Sequence, residues 1–277
     1  MTATVLLALL GVGFAVGVLA GLVGIGGGVL IVPFLYFFYG HPGWSGVTVP
    51  PGLHATLAHA TSLFIIVPTA VRGVLSYHRS GLVAWRVALP IAGAALLAAI
   101  GGARLALLLP AGALKAGFGL FLIGSGVQLI WGRTPEPRRE PRGPLLAMAV
   151  TGVGVGLLSA LLGVGGGLVA IPTLIYLVGL ELRRVAATSL AIVLFAAVSG
   201  TITYVVSGWG APALPPGSLG YVHLAAGLPI LLGSILAVRW GVLINQRLPT
   251  RLLRLLFGVL LGVLGLQLAV ENLPRLF

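Results

Sequence analysis

Two clusters of glycine, each inside a long apolar run, are the residues whose spacing could serve chemistry in this sequence. Their members are Gly24, Gly26, Gly27 and Gly28 in the first cluster, and Gly163, Gly165, Gly166 and Gly167 in the second. Glycine lets a backbone leave helical geometry and lets another group approach it closely. A helix that starts after such a break points unpaired N–H groups and the positive end of its dipole into the protein. We therefore predict that the two clusters line a binding site for an anion.

An alternative is that the glycines only allow close contact between helices, as Gly-x-x-x-Gly faces do. That alternative suffices for Gly13 and Gly17, which stand one helical turn apart. It explains three consecutive glycines less well, so for the two clusters we favour binding. In lipid, a broken backbone is tolerated only where it is buried in protein or lines a cavity.

Hydroxyl side chains follow each glycine cluster in a repeated Ala-Thr-Ser-Leu segment. They are Thr61 and Ser62 in the first segment, and Thr188 and Ser189 in the second. A hydroxyl can donate to an anion, but in membrane helices it often bonds the carbonyl one turn back. Both roles remain open, and we include the four residues among the candidate substrate ligands.

His59 precedes the first of these segments inside an apolar run, and the residue that matches it in the second half is Ala186. A histidine within the membrane is a candidate proton relay. It can equally be a histidine whose ring is hydrogen-bonded to a neighbouring helix. We name His59 as the candidate relay and H⁺ as the candidate coupling ion.

The composition indicates that these residues lie in a membrane. Of the 277 residues, 58% are hydrophobic and 7% are charged, and no charged residue precedes Arg72. A soluble domain carries about 25% charged residues. The net charge of +12 would suggest a nucleic-acid partner in a soluble protein. Here the arginines stand mostly at the ends of apolar runs, which indicates membrane topology, with the lipid bilayer and not nucleic acid as partner.

Missing residue types exclude several chemistries. The sequence has no cysteine and no aspartate, which removes disulfides, thiolate or carboxylate-based metal sites and aspartyl proteolysis. It also lacks the His-Glu-x-x-His, Gly-x-Ser-x-Gly and Walker A motifs. We expect neither an enzyme nor an ATP-driven pump, and we expect no metal and no other cofactor.

The two halves of the chain repeat each other. Gly24 recurs as Gly163, 139 residues later, and Thr61 recurs as Thr188, 127 residues later, because the first half has a longer loop between them. We predict an all-α polytopic membrane protein of two homologous halves, each with a Gly-broken hairpin plus three spanning helices. The predicted divisions are 1–131 for the first transmembrane repeat, 132–144 for a Pro/Arg-rich cytoplasmic linker and 145–277 for the second transmembrane repeat.

Charge sorting indicates that the two halves are inverted. If each glycine block is a hairpin that returns to its starting side, most arginines fall on the side of the linker, and the loops 40–52 and 207–220, which carry no charged residue, fall on the other. If each block crosses once, Arg183 and Arg184 move to the opposite side. The positive-inside rule favours the hairpins, so we predict inverted repeats with a cytoplasmic linker and external termini.

These motifs resemble a known family. The paired Gly-x-Gly-Gly-Gly-x-x-x-x-Pro runs, each followed by Ala-Thr-Ser-Leu, are similar to those of the sulfite exporter TauE/SafE family of membrane transporters, from Gly13 to Leu268. The resemblance implies secondary transport of a small sulfur-containing anion such as sulfite, a sulfonate, sulfoacetate or thiosulfate. The loop from Gly40 to Leu53 is longer than in many relatives, and nothing is carried over to it.

We therefore expect a multi-pass protein of a bacterial or archaeal plasma membrane that moves a small anion by alternating access. The substrate would be held near the midplane, between the two glycine breaks. A passive anion channel is the alternative, because it would share a glycine-lined path. A structural or assembly protein of the membrane is disfavoured by the breaks. Substrate, direction of transport and oligomeric state stay open.

Overall fold

The computed structural model describes most of the chain. The described parts are residues 2–131 and 144–247, with Gly262, Leu266 and Val270. Of the predicted linker 132–144, only Pro144 is described. The last spanning helix predicted for the second half falls after Arg247, and apart from those three residues it lies outside the described part.

Helices make up nearly all of the described first half. They are α1 (Ala3–Val23), α2 (Gly28–Gly40), α3 (Pro42–Ser45), α4 (His54–Arg79), α5 (Trp85–Leu108) and α6 (Ala111–Trp131). A 3₁₀ turn, Pro51–Leu53, leads into α4. This half therefore consists of a broken pair, α1 and α2, followed by the three long helices α4, α5 and α6, as predicted.

The second half follows the same order. Its elements are α7 (Leu145–Leu162), α8 (Gly167–Thr173), α9 (Leu182–Ser207), the strands β1 (Ser218–Leu219) and β2 (Val222–His223), and α10 (Leu224–Arg247). A π-helical turn, Leu174–Val178, extends α8. The two strands pair antiparallel, with Leu219 opposite Val222. This hairpin precedes α10.

Six segments of the described chain are long and apolar enough to cross a membrane. They are Ala3–Val23, Pro51–Arg79, Trp85–Leu108, Leu145–Leu162, Arg184–Ser207 and Leu224–Arg247. Large apolar side chains such as Leu7, Leu97 and Leu236 stand exposed on their outer faces, where a bilayer would cover them. The structure therefore confirms an all-α polytopic membrane protein.

Small residues set how α1 and α7 pack. Gly13 lies against the backbone of Ile230, and Gly21 lies two turns further along against Val238, so α1 and α10 are parallel and in close contact. In the other half, Gly152 and Gly156 of α7 lie against the backbone of α5 in the same way. Gly13 therefore allows close contact between helices, which is the role that the packing alternative gave it.

The helices α4 and α9 cross each other at the centre of the molecule. Gly73 of α4 faces Leu190, near the start of α9, whereas Gly200, near the end of α9, faces Leu63. The two helices are therefore antiparallel. Of the six candidate spans, these two have the largest buried share. They carry His59 and the four predicted hydroxyls.

One end of the molecule collects positive charge. Gln246 Nε2 lies 3.2 Å from Ser80 Oγ, which brings the end of α10 beside the end of α4. The start of α9 joins the same end through Thr188, whose Oγ1 lies 3.1 Å from Ala84 N. The arginines brought together at this basic end are Arg79, Arg86, Arg184 and Arg247.

The opposite, uncharged end is formed by the loops 41–53 and 208–223, which carry no Asp, Glu, Lys or Arg. Tyr39, near the end of α2, lies there with its hydroxyl 3.3 Å from Nδ1 of His223, which directly precedes α10. Since α1 runs parallel to α10, α2 returns to the end at which α1 starts. The first glycine block is therefore a hairpin.

Candidate functional site

Both glycine clusters break their helices. Gly24 follows α1 directly and has a left-handed φ of +77°, and Gly27, with a φ of +83°, precedes α2. In the second half, Gly163 follows α7 directly with a φ of +67°, and Gly166 precedes α8 with a φ of +78°. Residues with a side chain rarely adopt this conformation, which explains why the chain has glycine at these points.

The two breaks lie against each other across the halves. A Cβ on Gly28 would stand 2.6 Å from the carbonyl oxygen of Gly163 and 2.7 Å from Cα of Val164. A Cβ on Gly167 would stand 2.5 Å from Cα of Ile25 and 2.8 Å from the carbonyl oxygen of Gly24. Each contact is thus matched by one with the halves exchanged. The breaks form one junction at the centre of the bundle, which we call the break junction (residues 24–28 and 163–167).

Two apolar side chains, Val193 and Ile66, fill the middle of the break junction. A Cβ on Gly26 would lie 2.8 Å from Cγ1 of Val193 and 3.3 Å from Cγ2 of Ile66. A Cβ on Gly165 would lie 2.8 Å from the same Val193 methyl group and 3.2 Å from Cδ1 of Ile66. The glycines of both halves therefore pack against the same two side chains.

Backbone donors remain unpaired at the break junction. Within the described chain, the N–H groups of Gly26, Gly27 and Gly28 meet no acceptor, and the same holds for Gly165 to Gly167, although all six residues are buried. The first paired donors after them are Leu30 and Ile31, whose N–H groups bond the carbonyl of Gly27. Buried backbone N–H groups without a partner are rare in folded proteins. They are suited to the oxygens of a small anion.

The two predicted serines bond the breaks of the opposite half. Ser62 Oγ donates to the carbonyl of Gly163 at 2.7 Å, and Ser189 Oγ donates to the carbonyl of Gly24 at 2.9 Å. These carbonyls stand at the ends of α7 and α1, where no helical N–H can reach them. The serine protons are thus used to hold the breaks in place, and direct contact with substrate remains a prediction.

The two predicted threonines bond loops at opposite ends. Thr61 Oγ1 accepts from the backbone N–H of His223 at 3.0 Å, near the uncharged end. Thr188 Oγ1 accepts from the N–H of Ala84 at 3.1 Å, at the basic end. All four hydroxyls therefore connect the two halves instead of bonding the carbonyl one turn back. Substrate contact by the threonines also remains a prediction.

His59 is fully buried beside the second break. Its Nε2 is hydrogen-bonded to the hydroxyl of Tyr36 on α2, and a Cβ on Gly163 would stand 2.5 Å from its Cα. Lys115 Nζ lies 5.0 Å from the centre of the Tyr36 ring. The bond to a neighbouring helix, one of the two roles left open, is therefore observed, and the relay role remains a prediction. Within the described chain, no group of three His, Cys, Asp or Glu could hold a metal ion.

Two tyrosines beside the break junction are not among the residues predicted from the sequence. Tyr77 donates its hydroxyl proton to the carbonyl of Gly21 at 2.5 Å, and Tyr204 donates to the carbonyl of Ala160 at 2.9 Å. Both bonds satisfy the last turn of the helix that precedes a break. A signal was available, because each tyrosine follows the threonine of its Ala-Thr-Ser-Leu segment at the same spacing.

Comparison with known proteins assigns the chain to a family. The family described as Sulfite exporter TauE/SafE matches residues 9–268. A protein of Methanocaldococcus jannaschii, named as a probable membrane transporter, is 28% identical over 256 residues, which are 92% of each chain. A second probable membrane transporter, from Haemophilus influenzae, is 29% identical over 96% of this chain and 98% of its own.

A third relative, from Bacillus subtilis, is also named as a probable membrane transporter and is 24% identical over 94% of this chain and 96% of its own. No solved structure matches the chain at a significant level. The family match covers both breaks, both hydroxyl segments, five of the six candidate spans in full and the first span from residue 9. This multi-pass integral membrane protein therefore belongs to the sulfite exporter TauE/SafE family of membrane transporters.

Proposed function

We propose that this protein is a secondary transporter that moves a small sulfur-containing anion, such as sulfite, a sulfonate or thiosulfate, by alternating access. The observation that carries the proposal is the break junction, where buried backbone N–H groups from both halves have no partner within the described chain. The relatives, which are named as membrane transporters, support transport as the general activity.

The proposed substrate site lies near the middle of the membrane, between the two breaks. Its candidate ligands are Gly24, Gly26, Gly27, Gly28, Thr61, Ser62, Gly163, Gly165, Gly166, Gly167, Thr188 and Ser189. The glycines supply N–H donors, and the hydroxyls position the breaks or reach the substrate. None of these residues is charged. Neutral donors bind an anion without the cost of burying a permanent positive charge in the membrane, and they release it more readily.

We also propose that the halves, 1–131 and 145–277, are inverted repeats joined by a cytoplasmic linker. The helix directions support this, because α1 starts at the uncharged end and α7 starts at the basic end. The basic end would be cytoplasmic by the positive-inside rule. In an inverted pair, exchanging the conformations of the two halves converts an outward-open state into an inward-open one.

Proton coupling through His59 is part of the proposal. The imidazole pairs with Tyr36 and adjoins the second break, so a proton on its ring would change the electrostatic potential at the site. Transport would then be driven by a pH gradient. A His59→Asn variant, whose amide takes the place of Nδ1 but does not titrate, should bind anion and lose the dependence of flux on the gradient.

The experiment that tests the proposal is flux in proteoliposomes. Proteoliposomes that contain the protein would be loaded with unlabelled sulfite, thiosulfate or methanesulfonate, and the labelled anion would be added outside. A transporter should show saturable counterflow. The alternative, a passive channel, would show ohmic single-channel current and no counterflow. Close contact between the breaks, with Val193 and Ile66 between them, disfavours a continuous pore.

A further inference from the structure

Two fully buried side chains at the second break, Ser159 and His59, each have one polar atom without a hydrogen-bond partner within the described chain. Ser159 lies on the last turn of α7, and its Oγ meets no hydrogen-bond partner within the described chain. A Cβ on Gly166 would stand 3.1 Å from Cβ of Ser159. His59 borders the same break at Gly163, and although the backbone of Leu161 faces its ring, no acceptor meets hydrogen-bond geometry at Nδ1.

The first break has methyl groups at both corresponding positions. Ala20 occupies the place of Ser159, and its Cβ would lie 3.6 Å from a Cβ on Gly27. Ala186 occupies the place of His59 and lies against Gly24. The glycine, serine and tyrosine contacts of the two breaks otherwise match. The second break is therefore the more polar of two otherwise equivalent sites.

Burying a hydroxyl or a ring nitrogen without a partner is unfavourable. Alanine fits at both equivalent positions of the first half, so packing alone does not require serine or histidine in the second. The described chain offers Ser159 Oγ no partner and offers the His59 ring only the backbone of Leu161, so a bound group can complete the hydrogen bonding of both. Because backbone N–H groups of Gly165 and Gly166 also lack acceptors here, the common partner is an acceptor.

We propose that the transported anion binds off centre, against the second break, and that Ser159 and His59 are specificity-determining ligands. This rests on the proposed function. When the hydroxyl of Tyr36 donates to Nε2, the proton of the neutral imidazole is on Nδ1, which then donates to the anion. The ligand class is a small anion with at least two oxygen acceptors, because the unpaired donors come from several different groups.

A substitution at Ser159 separates binding from stability. Its Oγ bonds no described protein group, so Ser159→Ala should leave the melting temperature of the anion-free protein in detergent unchanged or raised. The same variant should bind sulfite or thiosulfate about tenfold more weakly or worse, measured by calorimetry, since a hydrogen bond to a charged group is lost. Thr151→Val on the same helix, whose hydroxyl bonds the carbonyl of Ala147 at 2.7 Å, is the matched control and should keep full affinity.

Symmetry provides a second test. Ala20→Ser combined with Ser159→Ala transfers the hydroxyl to the first break, and affinity should stay low. At His59, Asn places its amide near Nδ1 and Gln places it near Nε2, so we expect His59→Asn to bind the anion more tightly than His59→Gln.

Four results would overturn this inference. The first is unchanged affinity in Ser159→Ala, and the second is a loss of stability of the anion-free variant as large, in free energy, as its loss of binding. The third is recovery of affinity in the transferred-hydroxyl variant, and the fourth is equal binding by the two His59 variants. If the wild-type protein neither binds nor exchanges any of the anions, the proposed function fails as well. If wild-type counterflow is normal and Ser159→Ala matches it, only the off-centre site is wrong.

Discussion

Ser62 donates its hydroxyl proton to the carbonyl of Gly163 across the two halves, at 2.7 Å. The exchanged pair, Ser189 and Gly24, makes the same bond at 2.9 Å. Each half thus positions the break of the other. Residues that match in the sequence repeat therefore make reciprocal hydrogen bonds at the centre of the fold, where the proposed anion site lies.

The first prediction concerns these serines. Ser62→Ala leaves the buried carbonyl of Gly163 without a donor, which should lower the free energy of unfolding by about 1–3 kcal/mol. Ser189→Ala should have a similar effect, because it removes the exchanged bond. Thermal unfolding in detergent measures both. Equal melting temperatures for wild type and both variants would show that the bonds do not hold the breaks.

The second prediction concerns the threonines. Thr61→Val keeps the side-chain shape but removes the acceptor for the N–H of His223, and Thr188→Val does the same for Ala84. We expect the double variant to be less stable and to bind substrate more weakly, on the order of 1 kcal/mol for each neutral hydrogen bond. The Thr→Ser pair, which keeps both hydroxyls, is the control. Wild-type stability and affinity in the double Val variant would show that the two threonine hydroxyls contribute neither to stability nor to substrate binding.

The third prediction concerns topology. The sequence has no cysteine, so single cysteines can be introduced without a background. Cysteine in place of Ser80, at the basic end, should react with an impermeant reagent only from the cytoplasmic side. Cysteine in place of Thr2 or Gly46 should react only from outside. Labelling of Ser80→Cys and Thr2→Cys from the same side would contradict the inverted arrangement.

The fourth prediction concerns pH at the uncharged end. Burial lowers the pKa of the His223 imidazole to about 4, although the backbone of Pro216 partly opposes this. The unfolded chain therefore binds a proton more readily than the folded chain, and stability rises with pH. The contribution of His223 is complete above its ordinary pKa of about 6.5 and is lost as the pH falls towards 4. His223→Asn should lose less stability than wild type between these values, and identical pH profiles would contradict this.

Local features of the chain could be predicted from sequence. Consecutive glycines in apolar runs predicted the breaks, because only glycine adopts a left-handed backbone without strain. The matched spacing predicted the repeat. The bonds between halves could not be predicted, because they depend on which helices cross. Ser159 escaped notice for the same reason, since a single hydroxyl in an apolar helix has no signal until its surroundings are known. Tyr77 and Tyr204, by contrast, could have been predicted, because each follows its Ala-Thr-Ser-Leu segment at the same spacing.

The fifth prediction concerns the glycines that precede α2 and α8. A methyl group on Gly27 would stand 2.6 Å from Cγ1 of Val16, and one on Gly166 would stand 2.6 Å from Cγ1 of Val155. Each variant would also force alanine into a positive φ, at a cost of about 1–2 kcal/mol. We expect Gly27→Ala and Gly166→Ala to insert into the membrane and to lose most transport. Gly11→Ala is the control, because Gly11 has open space around it and should be tolerated.

The most direct test of the account is counterflow of labelled sulfite into proteoliposomes by wild type, Gly27→Ala, Gly166→Ala and Gly11→Ala, with the melting temperature of each recorded. We expect saturable exchange by wild type and Gly11→Ala, and little or none by the two break variants. Full exchange with a raised melting temperature in both break variants would mean that these glycines are ordinary helix positions. The central claim, an anion site built on two broken helices, would then be wrong.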